Sequence, residues 1–183
     1  MAAVSGILRA PLAAGVLAGL IAGVPQVVLT QVEARLLPAT RTEQADIGPR
    51  FIERLAERVA TRPGRPQSLL LATAFHFGYA AWWGLVYAAL QRWRPAQPHV
   101  GGPLLGALIY TLAFSPWGAA TQAGAERPVA TRSGRETLLH WTAALSFSLT
   151  LAYLYARWHP AAHTMAHAHH GLRGVSQHQR PGG

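Results

Sequence analysis

Apolar residues gather in four long runs, over about residues 10–32, 68–90, 101–120 and 137–156, with polar segments between them. A helix needs about 20 apolar residues to cross the hydrocarbon core of a bilayer, and each run reaches that length. None holds Asp, Lys or Arg in its interior. Backbone inside lipid must satisfy its own hydrogen bonds, so the runs are read as helices. The pattern predicts an all-α fold, an integral membrane four-helix bundle over residues 1–158, followed by a His-rich tail over 159–183 that is expected to be disordered. The first run starts like a secretory signal, with Arg9 ahead of apolar residues. It continues past Gly23 to Val32, and no Ala-x-Ala cleavage site closes it. It is therefore read as a retained helix, kinked at Pro25.

A helical period also emerges in the first loop. After Pro49, suited to a first helical position, Phe51, Ile52, Leu55 and Val59 share a face, and Arg50, Glu53, Arg54, Glu57 and Arg58 lie largely opposite. Such a short amphipathic helix lies in the membrane interface, lids the bundle or packs on its surface. Pro63, Gly64 and Pro66 end it.

Small residues recur at every fourth position: Gly15, Gly19 and Gly23; Ala80, Gly84 and Ala88; Gly102 and Gly106; Ala144, Ser148, Ala152 and Ala156. This spacing puts them on one helix face and lets backbones approach closely. The faces serve packing inside one bundle, or contact with a second copy or another membrane partner. Trp93 and Trp158 follow the second and fourth runs, while Trp117 and Trp141 mark the opposite boundary. With alternating spans these form the two aromatic belts of a membrane protein. Trp82 and Trp83 fall mid-span and do not fit a belt.

Composition sharpens the picture. Only 13% of the 183 residues are charged, about half the soluble average of roughly 25%. The net charge of +9 raises the question of nucleic acid, but the arginines flank apolar runs, where they meet anionic lipid headgroups. The expected partner is the lipid bilayer, not nucleic acid. Orientation is finely balanced. The side of the termini would hold six arginines and the loop side ten, but seven of those ten share the first loop with five acids. Charges that pack locally have little effect on insertion, so cytoplasmic termini are favoured slightly. Absent cysteine excludes disulfides and thiolate chemistry. No phosphate-binding loop, dinucleotide fingerprint, zinc-protease helix or nucleophile elbow is present, so nothing nominates a catalytic residue.

Ionisable groups at membrane depth are functional candidates. His76 lies about two turns into the second span and His140 about one turn into the fourth, so both belong to the same half of the bilayer. Glu136 precedes His140 by four residues, Glu33 closes the first span on that side, and Gln26 and Gln31 sit slightly deeper. Glu33, His76, Glu136, His140 and Gln26 thus form a candidate polar cluster near one membrane face. A carboxylate beside an imidazole stabilises the imidazolium, which suits proton or metal handling; alternatively these groups bond helices together. In the tail, His159, His163 and His167 fall on one face of a notional helix, with His169 and His170 close by. These could hold a divalent metal, or give a solvated tail with adventitious affinity.

The order of these features resembles the YagU-like inner-membrane proteins, a bacterial family of undefined activity. The likeness rests on Glu33 followed by Leu37, Pro38 and Arg41, on His76-Phe77-Gly78-Tyr79, and on Glu136 spaced four before His140. It covers roughly residues 10–158, and Ala39 and Thr40 break the family's proline-rich stretch. It implies a four-helix protein of the bacterial inner membrane but no reaction. Three functions follow as expectations. The first is a non-catalytic accessory or stress-related membrane protein. The second is a small transporter or proton- or metal-handling protein using the Glu/His cluster, weakened by the absence of an inverted repeat. The third is a haem-binding subunit with His76 and His140 as axial ligands, weakened by their differing depths.

Overall fold

A computed structural model describes residues 10–36, 47–58, 64–125 and 132–159. The described residues form six helices: α1 (Pro11–Leu36), α2 (Ile47–Arg58), α3 (Arg65–Trp93), α4 (Pro98–Phe114), α5 (Ala119–Gln122) and α6 (Gly134–Trp158). Four stretches, Pro11–Val32, Arg65–Trp93, Pro98–Gln122 and Gly134–Trp158, are long and apolar enough to cross a membrane. The all-helical, four-span bundle expected from the apolar runs is therefore present. α2 is the amphipathic helix of the first loop. It begins two residues before Pro49, which stands in the first turn, where its missing N–H removes no intrahelical bond.

The third stretch, Pro98–Gln122, covers its apolar run but is not one continuous helix. It starts at Pro98 and its α-helix ends at Phe114, not near residue 120. Ser115 precedes Pro116, and a residue before proline is pushed from the helical to the extended region; Ser115 sits at φ −63°, ψ 165°. The chain then turns through Gly118, whose N–H donates to the Ser115 carbonyl at 2.8 Å, into the short α5.

The bundle is arranged as a row. α1 packs along α3 on one side and α6 on the other, and α4 packs on α6. Although a four-residue turn joins α3 to α4, the two meet closely only at that end. There a Cβ at Gly101 would stand 2.9 Å from the Tyr87 hydroxyl and 3.1 Å from Gln91 Nε2. Gln91, buried in the last turn of α3, secures the turn: it donates to the Ala96 carbonyl (3.1 Å) and accepts from the Ala96 N–H (2.9 Å).

The small-residue faces meet each other inside the chain. A Cβ on Gly19 would strike the Ala80 carbonyl and lie 3.1 Å from Gly84 Cα, and one on Gly84 would lie 2.8 Å from the Gly15 carbonyl carbon. Gly102 and Gly106 face Leu149, Ala152 and Ser148 in the same way. The core is correspondingly rich in alanine: Ala14, Ala18, Ala22, Ala80, Ala88 and Ala152 are almost wholly buried. Large apolar side chains lie on both sides of this seam: Trp83, Phe147 and Leu151 are buried, while Leu70, Leu104 and Leu138 are among many that point outward. So many exposed leucines beside an alanine-rich seam suit a lipid surrounding, where close backbone approach rather than water exclusion holds helices together.

The tryptophans sort by the same rule. Trp93 and Trp117 are exposed at span ends, and Trp82 faces outward at mid-span, while Trp83 is buried in the core. Trp141 instead stacks on Tyr110, with ring centroids 4.5 Å apart.

Candidate functional site

The packing that closes α1 on α3 and α4 on α6 leaves space between α3 and α4 away from their hairpin. A cavity of about 490 Å³ occupies it. All four spans contribute: Gln26, Thr30 and Gln31 from α1, Thr73, Phe75, His76 and Tyr79 from α3, Ile109 and Phe114 from α4, and His140 and Ala144 from α6. The wall is mainly apolar. It is open at the side, since Phe75 remains 42% and Tyr79 37% exposed. Phe75 lies ten residues after Arg65, about 15 Å along the helix, so the opening is at membrane depth.

Local geometry holds both histidines. Gly23, lacking a Cβ, lets the His76 ring come up to the α1 backbone, where His76 Nε2 lies 3.2 Å from the Gly23 carbonyl; an added Cβ would stand 3.3 Å from that nitrogen. His140 Nδ1 lies 2.6 Å from the Glu136 carbonyl one turn earlier, and its ring packs edge-on against Phe114 at 4.7 Å. The Arg132 guanidinium sits 5.0 Å from the centre of that phenylalanine ring. A carbonyl only accepts, so each contacting ring nitrogen carries hydrogen. In the neutral rings the lone pair is then on Nδ1 of His76 and on Nε2 of His140. As axial haem ligands the pair would present unlike nitrogens.

The structure thus brings Gln26, His76 and His140 to one cavity. Glu136 is outside its wall. Its carboxylate accepts from the Ser133 N–H (2.9 Å), and Ser133 Oγ accepts from the Glu136 N–H (3.2 Å). This is a capping box at the start of α6, a structural use that the Glu136–His140 spacing alone did not reveal. The Ser133-x-x-Glu136 pattern carried that signal. Glu33 falls within α1, but its side chain lies outside the described residues, as do His163, His167, His169 and His170. His159 caps the C-terminus of α6 and stacks on Tyr155 at 5.6 Å. Among the described residues no three His, Asp or Glu side chains group as a metal site.

Sequence reasoning missed Thr30, Thr73 and Tyr79. The helical spacing of Thr73 and Tyr79, three residues to either side of His76, was the available signal. An aromatic file, missed likewise, leads along α3 from the cavity wall: Phe75 stacks on Tyr79 at 5.9 Å, and Tyr79 meets Trp83 edge-on at 5.9 Å. At its outer end Phe51 of α2 stacks on Phe75 at 4.8 Å. No family model, curated protein or solved structure matches this chain.

Proposed function

We propose that the protein is a non-catalytic accessory protein of the bacterial cytoplasmic membrane that holds a small lipid-soluble ligand between its spans. The observation that carries this reading is the side-open, mostly apolar cavity with Gln26, His76 and His140 on its wall. Its volume lies within the roughly 300–1,000 Å³ usual for small-molecule sites, and a few placed polar groups on an apolar wall are the usual composition. The likeness to the YagU-like family adds a four-helix membrane setting to the proposal and no chemistry.

The proposal includes cytoplasmic termini. The cavity, built from the ends of α1 and α4 and the beginnings of α3 and α6, then belongs to the outer leaflet.

Native mass spectrometry tests the binding. The detergent-solubilised protein is incubated with a total bacterial lipid extract. We expect one small molecule to remain bound per chain, and Ala113→Phe, which fills the cavity from α4, to remove it. Equal occupancy of the two proteins would contradict the reading.

A further inference from the structure

The cavity opens to the bilayer beside Phe75 and Tyr79, whose side chains line its wall and remain partly exposed. The ring that covers this edge comes from the first loop. Phe51 of α2 stacks on Phe75, with centroids 4.8 Å apart and planes inclined by 27°, and Phe75 stacks in turn on Tyr79. The rim of the opening is thus a file of three rings, one of them supplied by α2.

How α2 is held decides what that ring can do. Among the described elements α2 packs closely on α3 alone. Ile52 is buried, while Leu55 of the same apolar face is half-exposed. Arg54 and Glu57 pair with each other on an exposed surface. An amphipathic helix of this kind is at home in the headgroup region of a bilayer. When it leaves α3, its apolar face passes into lipid and not into water, so no large hydrophobic penalty keeps it docked. What it gives up is chiefly packing, with the stack of Phe51 on Phe75 at its centre. The buried apolar core of the bundle contains no residue of α2, so the helix can dock and undock over an intact cavity.

Phe75 couples that movement to the opening. With α2 docked, the Phe75 ring is held between Phe51 and Tyr79. With α2 undocked, the ring loses its outer partner and can change rotamer at the mouth of the cavity. We propose that α2 is the gate of the ligand cavity and that Phe51 closes it: a ligand passes the Phe75 edge when α2 leaves α3 and is retained when α2 returns. This rests on the ligand-binding reading above. A gate acts on entry and release alike, so Phe51 sets the rate of exchange and not the affinity.

Isotope exchange tests this. The detergent-solubilised full chain is loaded with a sub-saturating amount of total bacterial lipid extract, then mixed with an excess of isotopically heavy extract. Native mass spectrometry follows replacement of the bound molecule. Phe51→Ala should exchange about 2- to 12-fold faster than the native chain, the range for loss of one aromatic pair, with the equilibrium occupancy before mixing unchanged. Phe51→Tyr keeps the ring and should exchange at the native rate. Native-rate exchange in Phe51→Ala, or faster release matched by a proportional loss of occupancy, would overturn the gate and leave cavity binding standing. If the native chain retains no molecule at all, the ligand-binding reading falls and the gate with it. Should Phe51→Ala fail to fold, Phe51→Leu, which keeps apolar bulk without a ring, takes its place with the same expected and overturning results.

Discussion

Replacing Gly84 by alanine adds one methyl group where two helix backbones touch. The new Cβ would overlap the Gly15 carbonyl oxygen and stand 2.8 Å from its carbon and 3.1 Å from Gly19 Cα. Carbon atoms rest at about 3.5–4.0 Å, so α1 and α3 must part by roughly 1 Å at this level. Neither contact is with a flexible side-chain end, so the strain spreads along the interface. Overpacking of this kind costs about 1–3 kcal/mol. Alanine's better helix propensity offsets at most about 1 kcal/mol of it.

Gly78, in the same helix, is the control: a Cβ there meets nothing within 4 Å. Gly78→Ala should be neutral or slightly stabilising. Reversible unfolding of the two variants in mixed SDS and dodecylmaltoside micelles, followed by tryptophan fluorescence, measures both. The propensity gain is common to both variants and cancels, so we expect Gly84→Ala to be less stable than Gly78→Ala by about 1–3 kcal/mol, roughly a 5- to 150-fold change in the unfolding equilibrium. Equal stabilities would refute the backbone contact between α1 and α3.

Other substitutions probe other joints. Gln91→Leu removes both partners of Ala96 and should destabilise the chain by about 1–3 kcal/mol, with faster hydrogen exchange at the Ala96 amide; unchanged exchange there would count against this tie. Ser133→Ala opens the capping box at α6 at a cost of about 1 kcal/mol, read as loss of amide protection confined to the first turn of α6. Phe51→Ala removes the stack on Phe75 and should release α2. Because the chain contains arginine but no lysine, trypsin reports this directly, with several-fold faster cleavage at Arg54.

The spans were legible because lipid sets a length that apolar runs must reach, and hydropathy measures that length. Helix ends were less so. The third run stays apolar through Trp117 and Ala120, which hides the break that Pro116 makes after Phe114. The small-residue faces were visible in the four-residue spacing, but spacing does not state which face meets which; the pairing of Gly15 and Gly19 with Gly84 depends on how α1 and α3 are set against each other. For the site, depth along antiparallel spans put His76 and His140 in one half of the bundle, and both line the cavity. The same argument included Glu136, where a stronger local interaction with Ser133 prevails. The cavity itself is what remains when α3 and α4 diverge from their hairpin, and no local pattern encodes that divergence.

Residue-specific labelling tests the four-span arrangement most directly. The native chain has no cysteine, so single cysteines report unambiguously. Gln97 is exposed in the turn between α3 and α4, and Gly134 at the start of α6 has open space for a side chain. Leu104 of α4 is 64% exposed on the outer surface. With a membrane-impermeant maleimide applied to sealed, oriented vesicles, Gln97→Cys and Gly134→Cys should label from opposite sides, and Leu104→Cys from neither. Labelling of Gln97→Cys and Gly134→Cys from the same side, or ready labelling of Leu104→Cys, would contradict a bundle that crosses the bilayer four times.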